Sequence, residues 1–126
     1  MIQYNGLTLA YIGDAYYELQ IREYLLNNKF TKVNDLHQNA IKFTSAVNQA
    51  KAARVLIEEF YTEAEKQIFK RGRNQNSSHK PKNADVVTYN VATGFETVIG
   101  YLYLNGEIER VNELIKKTTN ILEEFQ

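Results

Sequence analysis

The scarcity of helix-breaking residues constrains this sequence more than any other feature. Pro81 is the only proline among 126 residues, and it lies in a polar stretch between longer patterned segments. Elsewhere apolar residues recur at steps of three and four, the spacing of a helix that buries one face. The sequence therefore predicts an all-α protein, a bundle of helices that proline does not interrupt.

Capping residues predict where the helices begin and end. Thr62 and Glu65 match a capping box, Asp85 is a candidate N-cap, and Asn105-Gly106 is typical of a left-handed helix end. Residues 74–83 are predicted to form an exposed loop within one domain that spans 1–126. The expected helices cover approximately 7–27, 33–41, 44–61, 62–72, 85–104 and 107–125.

Charge and composition exclude several classes of protein. Fifteen basic and fifteen acidic residues cancel, so no overall field attracts nucleic acid or a membrane surface, and any RNA site must be local. The absence of cysteine excludes disulfides and thiolate chemistry and is typical of a reducing compartment. Since no apolar run reaches the length of a membrane span, we expect a cytoplasmic protein with no membrane partner.

Two acids, Asp14 and Glu96, each stand in an apolar run beside a glycine, so we expect both to be buried. A buried carboxylate is normally paired, protonated or bound to a metal. Facing helices that each present one carboxylate suit Mg²⁺, which keeps several waters and needs only one or two such ligands. The competing interpretation is that both acids cap a helix or pair with a buried Arg or Tyr.

Nine tyrosines form a second pattern, with several on the first and fifth predicted helices. A tyrosine ring is apolar and its hydroxyl is polar, which suits a half-buried position. The tyrosines therefore indicate either the rim of the core or an interface between subunits.

The runs around the two acids resemble the signatures of a known family. Residues 9–15, Leu-Ala-Tyr-Ile-Gly-Asp-Ala, followed by Glu18-Leu19, resemble the signature helix of ribonuclease III, which reads Leu-Glu-Phe-Leu-Gly-Asp-Ala and continues to Glu-Leu. Residues 95–104 resemble its second signature, Phe-Glu-Ala-Leu-Ile-Gly-Ala-Ile-Tyr-Leu. The resemblance implies a ribonuclease III endonuclease domain in which Asp14 and Glu96 are catalytic and bind Mg²⁺.

Two departures from the family pattern indicate one subgroup of the family. Two further family acids are replaced by Ala10 and Thr93, and no double-stranded-RNA-binding domain fits before Gln126. Both features are similar to the small subgroup called Mini-ribonuclease III. That likeness implies a Mg²⁺-dependent homodimer that cleaves double-stranded RNA and matures the ends of bacterial large-subunit (23S) ribosomal RNA, with a ribosomal protein as a further candidate partner.

Cationic side chains concentrate near the predicted loop. A-form RNA is contacted largely through phosphates and 2′-hydroxyls, which suit Arg, Lys and Asn donors. We expect Gly72 to let the backbone approach the duplex, although a solvated loop without a partner is the alternative. The candidate RNA-binding residues, which we call the basic segment, are Arg71, Arg73, Asn74, Lys80 and Lys82.

The sequence is compatible with three functions. The leading hypothesis is a Mg²⁺-dependent endoribonuclease that acts on double-stranded RNA. A non-catalytic RNA-binding or ribosome-associated protein of the same fold is favoured by Ala10 and Thr93. A helical scaffold without RNA agrees with the zero net charge but leaves both acids unexplained.

Overall fold

The structure, a computed structural model, describes residues 4–75 and 85–126. Within these ranges all six predicted helices are present and no strand occurs, so the predicted all-α class is confirmed. The helices are α1 (Gly6–Asn27), α2 (Val33–Thr44), α3 (Ala46–Glu59), α4 (Glu63–Arg73), α5 (Val86–Leu104) and α6 (Ile108–Glu124).

The capping predictions are confirmed. The Thr62 N–H donates to Glu65 Oε1 at 2.9 Å, and the Glu65 N–H donates to Thr62 Oγ1 at 3.1 Å. Asp85 Oδ1 accepts from the Thr88 N–H at 2.7 Å and caps α5. Gly106 has a φ of 77°, the left-handed conformation that ends α5.

The predicted boundary between α2 and α3 was wrong. Ser45, with φ −64° and ψ 151°, is extended and separates the two helices, so α2 continues to Thr44. The Ser45 Oγ accepts from the Asn48 N–H at 3.3 Å and caps α3. A hydroxyl that can bond the backbone of the next turn favours such a break over continuous helix.

Helix α5 occupies the centre of the bundle and packs against α1, α3, α4 and α6. Phe95, Val98 and Ile99 are completely buried, and buried positions occur on every side of the helix. A helix that is apolar all round is one that other helices surround. The sequence of α5 therefore already favours its central position.

Two glycines bring α1 and α5 into backbone contact. A side chain at Gly13 would overlap the Glu96 carbonyl oxygen, and one at Gly100 would overlap the Leu9 carbonyl oxygen. Glycine is the residue that permits such an approach. Because Asp14 adjoins Gly13, the same crossing places Asp14 beside Glu96.

Two tyrosines lie deeper than the expected rim of the core. Tyr17 is fully buried, and its hydroxyl donates to the Phe43 carbonyl oxygen at 2.8 Å. Tyr61 is also buried, but its hydroxyl has no hydrogen-bond partner among the described atoms. For these two residues the rim and interface interpretations were both wrong.

Candidate active site

The two acids singled out from the sequence lie side by side. Asp14 comes from α1 and Glu96 from α5, and their side chains are close enough to share a hydrogen bond. Residues 82 positions apart are thus brought together by the glycine-mediated crossing of the two helices. The geometry agrees with the expected shared acidic site.

The expected burial was wrong for Asp14. Its side chain is exposed, whereas Glu96 is only partly accessible to solvent. Gly13 is the residue that faces α5, so the adjacent Asp14 lies at the edge of the contact. Its apolar neighbours misled the prediction, because Tyr11 and Leu19 on the same helix are themselves 79% and 54% exposed.

The surroundings of the Asp14–Glu96 pair disfavour a negative charge on Glu96. Burial, followed by the nearby Asp14 charge, raises the pKa of Glu96 from its ordinary 4.5 to about 9. A hydrogen bond from Gln49 acts in the opposite direction. No ion pair joins Asp14 or Glu96 to a basic residue within the described part of the chain, so the alternative of a buried Arg partner is not supported.

A second buried glutamate shows how this fold satisfies an acid with its own cation. Burial alone would raise the pKa of Glu65, but hydrogen bonds from Arg110 and Thr62 outweigh it and lower the pKa. The Arg110 guanidinium donates to both Glu65 oxygens, at 2.7 and 2.8 Å. None of the residues at 4–75 and 85–126 gives Glu96 such a partner, so within this part of the chain its negative charge is balanced only by a proton or an external cation.

Gln49 is a site residue that sequence reasoning missed. It lies in the first turn of α3, is 2% exposed, and its amide nitrogen donates to the Thr44 carbonyl oxygen at 3.2 Å. The same side chain is a hydrogen-bond partner of Glu96. Its position in the buried stripe, three and seven residues before Ala52 and Leu56, is the signal that could have identified it.

The two positions where the family pattern has further acids supply no ligand here. Ala10 and Thr93 are each 6% exposed, and the Thr93 hydroxyl donates to the Tyr89 carbonyl oxygen at 3.0 Å. Across residues 4–75 and 85–126, no group of three or more His or acidic side chains is arranged to hold a metal. Two adjacent carboxylates remain, which fits a hard divalent cation that keeps much of its water shell.

Three of the five residues of the basic segment, Arg71, Arg73 and Asn74, lie within the described part of the chain. Arg71 is exposed and donates to the Tyr4 carbonyl oxygen at 2.8 Å, while Arg73 is half-buried and donates from Nε to the Asn74 Oδ1 at 3.1 Å. Lys80 and Lys82 lie outside the described residues, as does 76–83 of the predicted loop. Arg71 therefore has a structural contact besides any RNA contact.

The expected role of Gly72 was wrong. Gly72 is buried rather than exposed to a duplex, and a side chain there would overlap the Thr97 hydroxyl on α5. The glycine instead lets α4 pack closely against α5, one residue along from Glu96. This contact places the end of α4 against the stretch of α5 that carries Glu96.

Comparison with known proteins agrees with these features. A sequence model of the Ribonuclease III domain matches residues 7–107. The Mini-ribonuclease 3 of Streptococcus pneumoniae is 50% identical over 112 residues, which cover 88% of each chain. That of Enterococcus faecalis is 51% identical over 114 residues, covering 90% of this chain and 86% of the relative. That of Clostridium tetani is 50% identical over 123 residues, covering 97% and 81%.

A solved structure has the same fold. A crystal structure of a protein from Fusobacterium nucleatum has a TM-score of 0.82 and 30% identity, and the alignment covers 94% of this chain and 93% of that one. None of the helices formed by the described residues has both the length and the apolar composition of a membrane span. The chain belongs to the ribonuclease III family, and within it to the Mini-ribonuclease 3 group of endoribonucleases.

Proposed function

We propose that this chain is a Mg²⁺-dependent endonuclease that cleaves double-stranded RNA, with Asp14 and Glu96 as its catalytic, metal-binding residues. One observation carries the proposal: two carboxylates from different helices lie in contact, with no basic partner among the described residues, and the pKa of Glu96 is raised to about 9. A divalent cation between them would offset both causes of this raised pKa, the burial of the Glu96 charge and its repulsion by Asp14.

The protein's part in the reaction is to hold two oxygen ligands at one point beside the RNA backbone. When bound, a divalent cation lowers the pKa of water in its shell and offsets negative charge on the phosphodiester. Asp14 is exposed and can face solvent and substrate. Glu96 is half-buried, lies on α5 and is contacted by Gln49 of α3. This difference in exposure suits a site open on one side.

The basic segment supplies the proposed RNA contact. Arg71 and Arg73 stand in the last turn of α4, whose Gly72 packs against α5 next to Glu96. Cationic side chains at that position can bind phosphates on either side of the bond to be cut, despite the zero net charge of the chain. Lys80 and Lys82 are the remaining proposed RNA-binding residues of the basic segment.

A homodimer is the proposed functional unit. Tyr11, Ala15 and Leu19 recur at steps of four on α1 and are all exposed, so they form an apolar stripe beside Asp14. A stripe of this kind on both copies suits a two-fold interface. Each subunit would then contribute one acidic pair, and the two pairs would cut opposite strands to leave short 3′ overhangs.

The proposed substrate is precursor 23S ribosomal RNA in the bacterial cytoplasm. Comparing cleavage of the naked precursor with cleavage of the same RNA in large ribosomal subunits tests whether a ribosomal protein acts as a partner. Faster cleavage of the assembled particle is the expected result if one presents the RNA. Equal rates on both substrates would argue against such a partner.

The second candidate is a non-catalytic RNA-binding or ribosome-associated protein of the same fold. The specific observation in its favour is that Ala10 and Thr93 leave only two acids for the metal. A non-catalytic protein would bind double-stranded RNA with or without Mg²⁺ and leave it intact.

One experiment separates the two candidates. Purified protein is incubated with long double-stranded RNA with and without Mg²⁺, alongside Asp14→Asn, Glu96→Gln and the exposed control Glu123→Gln. We expect Mg²⁺-dependent cleavage that falls by orders of magnitude in the first two variants and is unchanged in the control. Undiminished cleavage by Asp14→Asn or Glu96→Gln would disprove the two-acid site, and an inactive but RNA-binding wild type would support the second candidate.

A further inference from the structure

The amide of Gln49 is the one buried polar side chain that connects the acidic pair to the rest of the bundle through α3. Gln49 is 2% exposed, and an amide is rarely buried so completely unless its hydrogen bonds are made. Its backbone N–H donates to the Ser45 carbonyl oxygen at 2.9 Å, so the residue is held in the first turn of α3. The backbone from which the Gln49 side chain extends is therefore held in place.

The side-chain amide of Gln49 lies near two acceptors on different helices. One N–H donates to the Thr44 carbonyl oxygen at 3.2 Å, an acceptor that the last turn of α2 leaves without a helical partner. The other N–H is available to the Glu96 carboxylate, which lies close enough for the Gln49 amide to lower the pKa of Glu96. The amide thus bridges the corner between α2 and α3 to the acid on α5.

We propose that Gln49 is a positioning residue, which holds the Glu96 carboxylate beside Asp14 in the orientation that binds a divalent cation. The inference deepens the proposed function and rests on the metal site at Asp14 and Glu96. Gln49 itself is an amide donor here and is not proposed as a metal ligand.

The Gln49 donor is needed because only two acids, Asp14 and Glu96, are proposed to hold the cation. Glutamate has an additional rotatable bond relative to aspartate, and the charge of Asp14 repels the Glu96 carboxylate. Thr93, one turn before Glu96, cannot restrain it, because its hydroxyl already donates to Tyr89. An N–H on one carboxylate oxygen fixes the rotamer and leaves lone pairs free for the cation, as hydrogen-bonded ligands commonly do in metal sites.

The simpler interpretation is that Gln49 only satisfies the α2–α3 corner. The two interpretations differ in what Gln49→Met would change. Methionine has similar length and helix propensity but no donor, so it removes the amide with little change of shape. The matched control is Thr118→Val, which removes a buried hydroxyl bonded to the Leu114 carbonyl oxygen at 2.8 Å on α6.

The first measurement is the dissociation constant for Mn²⁺, determined without RNA by calorimetry on wild type and both variants. We expect Gln49→Met to weaken Mn²⁺ binding by about tenfold or more, the size typical of lost partners behind metal ligands. Thr118→Val should bind as wild type does, and RNA affinity in a chelator should be the same for all three. An unchanged Mn²⁺ constant in Gln49→Met, or an equal loss in the control, would overturn the inference.

The second measurement needs no variant that must fold. In the wild type, the Gln49 side-chain amide resonances should move on titration with Mg²⁺, together with the backbone resonances of Asp14 and Glu96. Amide resonances that stay fixed while those of the two acids move would overturn the role of Gln49 and leave the metal site standing. A wild type that binds neither Mn²⁺ nor Mg²⁺ would overturn both the inference and the metal site.

Discussion

Replacing Glu96 with glutamine should stabilise the metal-free protein at neutral pH. Glu96 has a pKa of about 9 in the folded chain, against an ordinary 4.5 when unfolded. At pH 7 an unfolded Glu96 is ionised, whereas the folded protein must keep it protonated. Each unit of difference corresponds to about 1.4 kcal/mol, so the 2.5 units between 4.5 and 7 correspond to roughly 3 kcal/mol of lost stability.

The sign of the pH dependence follows from proton binding. Between pH 4.5 and 9 the folded wild type binds more protons than the unfolded chain, so its free energy of unfolding falls as the pH rises. Glu96→Gln has no such proton, and glutamine keeps the volume of the side chain. The stability advantage of the variant should therefore be small near pH 5 and grow toward pH 8.5.

The assay is urea unfolding of the wild type and Glu96→Gln in a chelator at pH 5.5, 7 and 8.5. Since other titrating groups are common to both proteins, the difference between their free energies of unfolding isolates Glu96. Added Mg²⁺ should stabilise the wild type and leave the variant unaffected, because only the wild type has both ligands. A difference that stays constant with pH, or a variant less stable than the wild type at pH 8.5, would refute the reasoning.

Three further outcomes are expected. Tyr61→Phe should leave the free energy of unfolding unchanged or raise it by up to about 1 kcal/mol, since the Tyr61 hydroxyl has no partner among the described atoms. Tyr17→Phe should lower it by about 1 kcal/mol, because the bond to the Phe43 carbonyl oxygen is lost, and thermal unfolding measures both changes. Gly100→Ala should cost about 3 kcal/mol or more, because the new methyl group would overlap the Leu9 carbonyl oxygen, and urea unfolding measures this loss. Replacing the four cations of the basic segment with alanine should weaken RNA binding and reduce its salt slope by somewhat less than about 1 for each lost phosphate contact, and an unchanged slope across a salt series would place the RNA elsewhere.

Local signals in the sequence predicted the helices and their ends well. The capping box at Thr62 and Glu65 and the stop at Gly106 depend on residues within one or two turns, so their chemistry can be identified without tertiary contacts. The break between α2 and α3 was predicted at residues 42–43 instead of Ser45, because serine is tolerated within a helix and its capping bond becomes decisive only when α3 packs against α5. Such a choice depends on packing that a linear pattern does not contain.

The pairing of the two acids was predicted, but their different environments were not. An apolar run indicates burial only if the whole run faces the core, and α1 instead places Gly13 inward and leaves Tyr11 at the surface. The depth of Asp14 therefore depends on the rotation of α1 about its axis, which the glycine contact determines. Gln49 was missed for a related reason, since a polar residue in an alanine-rich stripe becomes informative only when the opposite helix is known to carry an acid.

Glu65 and Glu96 differ in whether the described residues supply a cationic partner. Each is a largely enclosed glutamate, but Arg110 binds the first and lowers its pKa, whereas the neighbour of the second is another acid. An internal cation beside Glu96 would stabilise the apoprotein and would also compete with Mg²⁺ for the same oxygens. A destabilising acid at a proposed cation site is the usual exchange of stability for function. The tight crossing of α1 and α5 keeps the two acids together, and Glu96 retains its proton in the metal-free protein at neutral pH.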